Sequence, residues 1–303
     1  MRIALIIPVY NAGPHLDRLL PAILGQTLKV DDWLVIDSQS QDDSAQRFHE
    51  AGARVVGIRA QDFNHGGTRR LASELVSADV LFYMTQDAIP ASDDCFRRMV
   101  DALLADDNVG VVYGRQLPHP GAGVLAAHAR RFNYPAQSRV KSLADAVNMG
   151  IKTCFTSDSF VVYRREALTE AGGFPQDAIG SEDAYVAGQM LLQGWRVVYE
   201  ASAMVYHSHE YTVLEEFKRY FDIGVFYGRE TWIAERFGTA GREGLRFVQS
   251  EFIALCEAGQ YWRIPEVFVR SGLKWIGYRL GYHERFLPQY VKRRISMFGR
   301  YWK

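Results

Sequence analysis

Within the first ninety or so residues, four short apolar runs alternate with segments of helical spacing, and few folds accept that alternation. The runs are Ile3–Ile7, Trp33–Ile36, Arg54–Ile58 and Val80–Met84. Leu16, Leu19, Leu20, Ile23 and Leu24 recur at the spacing of one helix face after the first run, and Leu71, Ala72, Leu75 and Val76 do so before the fourth. A strand covered on both faces must be apolar throughout. Strand and helix in turn then build a parallel, doubly wound sheet. Ligands of such sheets sit beyond the carboxyl ends of the strands. The polar residues that close the runs, Asp37 and Thr85-Gln86-Asp87, are therefore the first candidates for function.

Farther on, Val109–Gly114 and Ser159–Tyr163 read as strands, as do two short pieces, Trp195–Tyr199 and Ala203–Tyr206. Arg165–Ala171 and Ser181–Gln193 read as helices. Residues 115–156 lack periodicity and are expected to form a long functional loop with short helices. From Val213 the chain turns helical, aromatic and basic.

Hydrophobic content of 48% and charged content of 23% are ordinary for a globular chain of 303 residues, in one large domain or two intimate ones. Net charge is zero, but Tyr261–Lys303 holds ten Lys/Arg against two Glu. A basic end of that kind faces an acidic partner, nucleic acid or an anionic membrane. Cys95, Cys154 and Cys256 show no metal spacing, which points to a reducing compartment without structural zinc. The apolar start runs into Pro8 without a small-residue cleavage site, so no signal peptide is expected. No apolar segment approaches the ~18 residues of a membrane span.

A nucleotide-diphosphate site at a sheet edge needs a carboxylate for base or ribose, a divalent cation, and a polar loop around it. Mg²⁺ or Mn²⁺ takes hard oxygen ligands, and Asp37 and Asp87 open onto one crevice. Glu182-Asp183 follows Ser181, a natural N-cap, and acids there suit the helix dipole. His207-Ser208-His209 follows a short strand and offers two imidazoles to a metal. Asn64-His65-Gly66-Gly67-Thr68-Arg69-Arg70 combines glycines that let a backbone approach a ligand with arginines that meet phosphate or stack on a base. The GxGxxG, GxxxxGK[ST] and GxSxG patterns are absent, which argues against dinucleotide, P-loop and esterase chemistry.

Taken in order, these stretches resemble the inverting family 2 glycosyltransferases. The resemblance rests on Ile6-Ile7-Pro8-Val9-Tyr10-Asn11, Val35-Ile36-Asp37-Ser38 with Asp42, Gly67-Thr68-Arg69, Thr85-Gln86-Asp87, Arg164–Leu168 running to Gly172-Gly173-Phe174, Glu182-Asp183, and His207/His209. Asn64–Arg69, Thr85–Ala88 and His207–Tyr211 are similar, more narrowly, to bacterial rhamnosyltransferases of that family. The resemblance implies a GT-A fold of the α/β class. A Rossmann-like, mostly parallel sheet flanked by helices would occupy residues 1–211, with a basic helical extension over 212–303. Pro8, Tyr10, Asn11, Asp37, Arg69, Gln86 and Asp87 would bind the donor nucleotide. Asp87, with His207 or His209, would hold Mg²⁺ or Mn²⁺. Asp183 would be the general base, with Asp158 and Glu182 on the acceptor side or supporting it.

The implied donor is dTDP-β-L-rhamnose, with a UDP- or GDP-sugar as the alternative. The implied acceptor is a glycan or polyprenyl-linked glycan of a bacterial surface polysaccharide such as O-antigen. The implied location is cytoplasmic, peripheral on the inner face of the cytoplasmic membrane, with the basic C-terminal segment on anionic lipid. Two departures matter: Thr85 replaces the first acid of the DxD motif, so the cation should bind weakly without donor, and the QxxRW signature of processive synthases is missing. Addition of one or a few sugars follows. The rival outside enzymology is a nucleotide- or nucleic-acid-binding module with a basic tail. It lacks RNP, KH and helix-turn-helix signatures, so no nucleic acid partner is expected.

Overall fold

The computed structural model describes residues 1–238 and 243–302. Its strands are β1 (Ile3–Val9), β2 (Asp32–Asp37), β3 (Arg54–Gly57), β4 (Val80–Met84), β5 (Ile89–Pro90), β6 (Val109–Leu117), β7 (Arg139–Lys141), β8 (Phe160–Arg164) and β9 (Arg196–Tyr206). The helices of the first two-thirds are α1 (Gly13–Leu24), α2 (Ser44–Glu50), α3 (His65–Leu75), α4 (Cys95–Leu104), α5 (Val124–Asn133), α6 (Ala146–Met149), α7 (Arg165–Glu170) and α8 (Glu182–Leu192). The last third adds α9 (Val213–Arg229), α10 (Thr231–Phe237), α11 (Glu243–Glu257), α12 (Ile264–Tyr282) and α13 (Gln289–Ile295).

One sheet runs β3-β2-β1-β4-β8-β6-β9-β5, and β7 pairs with β9. β3, β2, β1 and β4 are mutually parallel, β8 is antiparallel to β4 and β6, and β6 is parallel to β9. The sheet is thus mostly parallel, with both faces covered. Leu5, Ile7, Phe82 and Met84 enter one core, while Ala4, Ile6, Leu81 and Tyr83 enter the other. That is why the central strands are apolar at consecutive positions.

The two strands expected after residue 194 are one strand, β9, which keeps pairing with β6 across a register shift between Gly114 and Arg115. The segment expected to be a long loop with short helices carries α5, a helix of ten residues, whose His128 packs on Phe247 of α11. In the C-terminal region α9 and α12 cross at their glycines. A Cβ on Gly277 would stand 2.5 Å from Phe217 O, and one on Gly228 2.5 Å from Tyr282 O; Gly224 and Gly281 leave less room still. Backbones approach this closely only where no side chain intervenes.

Among the described residues no helix is long and apolar enough to cross a membrane. The aromatic tail read as lying on a membrane is partly inside the protein: Trp302 is buried and Ile295 and Tyr301 pack against the core. Lys303, part of that expectation, lies outside the described residues.

Candidate active site

The turn after β4 closes by Ala88 N–H donating to Thr85 O (3.1 Å) and sets Asp87 at the carboxyl edge of the sheet. β5 then pairs antiparallel with the end of β9, Ile89 opposite Tyr206 and Pro90 opposite Val205. That pairing brings His207 and His209 beside Asp87. His207 Nε2 lies 3.4 Å and His209 Nε2 3.6 Å from Asp87 Oδ2, and the two imidazole nitrogens are 3.1 Å apart.

Gln116 fixes the tautomer of His207. Its Nε2 donates to Ser157 Oγ (2.8 Å), so its Oε1 is an acceptor, shared by Arg130 Nη1 and His207 Nδ1 (2.8 Å). His207 therefore carries a proton on Nδ1 and faces Asp87 with its Nε2. Burial would raise the Asp87 carboxyl, but the hydrogen bond and charge of His207, with His209, hold it below the usual carboxylate range. Burial and His207 push His209 down to about 4 against the pull of Asp87, so it is neutral near pH 7. Three ligand atoms thus converge within 4.8 Å of one another. A carboxylate and two imidazole nitrogens so placed fit a divalent cation.

A second cluster lies around Arg69, on α3. Arg69 Nε is 2.9 Å from Asp158 Oδ2 and Nη1 is 2.7 Å from Glu182 Oε1, with all three residues buried. Tyr163 OH donates to Asp158 Oδ1 (2.7 Å), and Tyr83 OH donates to Arg69 O (3.0 Å). Asp183 follows Glu182 into the first turn of α8. Its Oδ1 accepts from Ala184 N–H (2.7 Å) and its Oδ2 from Asp158 N–H (3.4 Å). One guanidinium thus serves three carboxylates and touches two of them. Burial and the charge of Glu182 push Asp183, the acid it does not touch, up to about 7. Ser181 does not cap α8: it is left-handed, φ 61°, and its side chain makes no cap bond.

Beside these clusters opens a cavity of about 1010 Å³. The ends of β1 and β4 supply Pro8, Tyr10 and Gln86, the start of α3 supplies Asn64 and His65, and the last residues of the chain close it. Arginines 69, 293 and 300 border it, and no carboxylate does.

Of the residues expected to bind donor, Pro8, Tyr10, Arg69 and Gln86 line this cavity. Gln86 is bound by the chain itself: its Oε1 accepts from Tyr10 N–H (2.8 Å) and its Nε2 donates to Tyr10 O (3.0 Å). Asn11, Asp37 and Asp87 are not among its lining residues. Asp37 accepts from Ser40 N–H (3.1 Å) and Oγ, and Asn11 Oδ1 accepts from Gln41 N–H (2.7 Å). Gly66 and Gly67 admit protein rather than ligand: a Cβ on Gly67 would stand 2.7 Å from Gln176 O, and one on Gly66 would overlap Pro175 O. Sequence reading missed Gln116, Arg130, Arg293 and Arg300. The first two sit in the aperiodic middle, and the tail arginines look like any solvated basic run.

The profile described as "Glycosyl transferase family 2" matches residues 4–172. The chain belongs to this family. It is 45% identical over 304 residues to O-antigen chain rhamnosyltransferase RfbN of Salmonella typhimurium, covering 100% of this chain and 96% of the relative. It is 41% identical over 300 residues to O-antigen chain rhamnosyltransferase WbaN of Salmonella anatum, covering 98% and 95%. Among solved structures, a mannosyltransferase from Pyrobaculum calidifontis in complex with GDP-Man and Mn²⁺ superposes with a TM-score of 0.59 at 18% identity, over 99% of this chain and 84% of that one. Staphylococcus aureus TarS 1–349 in complex with UDP gives 0.54 at 13% identity, over 94% and 91%. These glycosyltransferase neighbours share the GT-A fold, and this family 2 enzyme has it complete with a helical C-terminal extension.

Proposed function

We propose that this glycosyltransferase moves L-rhamnose from dTDP-β-L-rhamnose to a hydroxyl of a glycan or polyprenyl-linked glycan in bacterial O-antigen synthesis. The observation that carries this reading is full-length identity of 45% and 41% to two proteins named O-antigen chain rhamnosyltransferases. Asp183, ionised, takes the proton of the acceptor hydroxyl. The hydroxyl oxygen bonds to the anomeric carbon from the face opposite the diphosphate, the carbon–oxygen bond to the diphosphate breaks, and configuration inverts. General base catalysis is worth roughly 10²–10⁴ in rate. Arg69 holds Asp158 and Glu182 around the base, so its role is to position them rather than to grip the donor.

Asp87, His207 and His209 would hold a divalent cation, which when bound offsets charge on the leaving diphosphate. Two imidazoles and one carboxylate suit Mn²⁺ better than Mg²⁺, which prefers oxygen. Gln116 keeps His207 Nε2 aimed at that point.

The enzyme also meets an anionic membrane, through α12 and its neighbours rather than through Ile295, Tyr301 and Trp302. Trp262, Phe268, Trp275, Phe286 and Tyr290 are all more than 60% exposed. Among the described residues from Tyr261 to Trp302, no exposed position is acidic, and the exposed Arg279, Arg285 and Arg294 are not among the residues that line the cavity. Glu266 and Glu284, the acids of that stretch, are paired with Arg263, Arg270, Arg229 and Lys292. Apolar rings among unopposed cations fit an anionic lipid surface. Co-sedimentation with vesicles containing anionic phospholipid, and not with phosphatidylcholine alone, is expected. Retention of binding by Trp275→Glu with Phe268→Glu would exclude this face.

The donor is tested by thermal shift with dTDP, UDP or GDP, each with Mn²⁺, Mg²⁺ or EDTA. Ligand at 100 times its Kd adds about 2.7 kcal/mol of stability. A Mn²⁺-dependent shift with dTDP is expected. A shift with UDP or GDP alone would remove the rhamnose assignment, and none with any nucleotide would remove the site.

A further inference from the structure

The C-terminal segment is a wall of the cavity. Met297 N–H donates to Asp222 Oδ2 (2.8 Å), which ties the segment to α9, and Phe298 N–H donates to Ser296 Oγ (3.0 Å) within the segment. Trp302 is buried, and Arg293 Nε donates to its carbonyl (2.7 Å). Between these anchors the segment lines the cavity. Phe298 meets His65 edge-on at 4.5 Å, and the Arg300 guanidinium stands 6.0 Å over the ring of Tyr10. Arg300 has no ion-pair partner among the described residues, whereas Arg69, the deepest cation of the cavity, is already paired with Asp158 and Glu182. The cavity thus offers flat rings, an uncommitted guanidinium and no carboxylate. That set recognises a flat, anionic ligand: aromatic faces take a base, and a guanidinium takes phosphate oxygens.

We propose that Arg300, carried on the folded-back C-terminal segment, binds the phosphates of the donor nucleotide, so that the donor site is assembled from both ends of the chain. This rests on the reading of the cavity as the nucleotide pocket. It also gives the basic end of the chain a phosphate partner inside the enzyme, apart from any membrane.

The test is calorimetric titration of wild type, Arg300→Ala and Arg300→Lys with thymidine, dTMP and dTDP in the presence of Mn²⁺. Wild type that binds none of the three defeats the nucleotide pocket itself. Given wild-type binding, Arg300→Ala should weaken dTDP by about tenfold or more, the worth of a charged hydrogen bond. Thymidine should bind as before, and Arg300→Lys should recover part of the loss. Equal or tighter dTDP binding by Arg300→Ala overturns the proposal, as does an equal loss for thymidine and dTDP. Unfolding temperatures of the free proteins should agree closely, because Arg300 is exposed and makes no ion pair among the described residues.

Discussion

Replacing Asp183 with Asn should cost activity and add stability, and the two effects follow from one carboxyl. Burial and Glu182 raise its pKa from 3.8 to about 7. The native state therefore binds that proton more tightly than the unfolded chain does. Stability tied to the protonated form is complete below the unfolded value and is lost as pH rises through about 7. A shift of this size corresponds to at most about 4 kcal/mol, and partial exposure of the residue lowers the expectation to roughly 1–2 kcal/mol. Asn keeps an acceptor for Ala184 N–H and never ionises, so the variant should unfold at a higher temperature than wild type at about pH 8 and at a similar one at about pH 4. Turnover should fall about 10²–10⁴-fold. Wild-type turnover should itself drop about tenfold between pH 7.5 and pH 6 as the base is protonated. A coupled assay of nucleotide release, with melting curves over the same pH range, measures both. Near-normal turnover by Asp183→Asn, or no gain in melting temperature at alkaline pH, would refute the assignment of base and burial to this residue.

Three further outcomes are expected. Gln116→Leu removes the acceptor on His207 Nδ1 and should weaken Mn²⁺ binding about 10–100-fold by electron paramagnetic resonance; an unchanged affinity would detach the histidines from the cation. Arg69→Met leaves Asp158 and Glu182 buried without their cation and should lower stability by roughly 3–5 kcal/mol in urea, and a loss within error would mean that water reaches them freely. Gly281→Ala pushes a methyl into the Phe221 carbonyl and should cost roughly 1–3 kcal/mol; its tolerance would show that α9 and α12 can part without penalty.

The strands β1 to β4 were legible because a strand covered on both faces must be apolar at consecutive positions, and nothing else nearby was. The positions of Asp87 and Asp183 were legible for a related reason: the first stands where an apolar run gives way to a polar turn, the second where a helical pattern begins. Ser181 misled because its side chain suits an N-cap, whereas the tight approach to α8 puts its backbone in the left-handed region. Gly66-Gly67 misled in kind: close approach was right, but the approaching backbone is that of Pro175 and Gln176.

The sequence by itself determined the sheet, its polar edge and the family, because local periodicity and short motifs are written in neighbouring residues. Only the tertiary structure decided which distant groups meet. The pairing of β5 with β9 brings His207 to Asp87, α3 carries Arg69 to Asp158 and Glu182, and the anchored C-terminal segment turns Arg300 toward Tyr10. Such contacts depend on strand register and on the path of the chain between elements, and neither leaves a local pattern of residues behind.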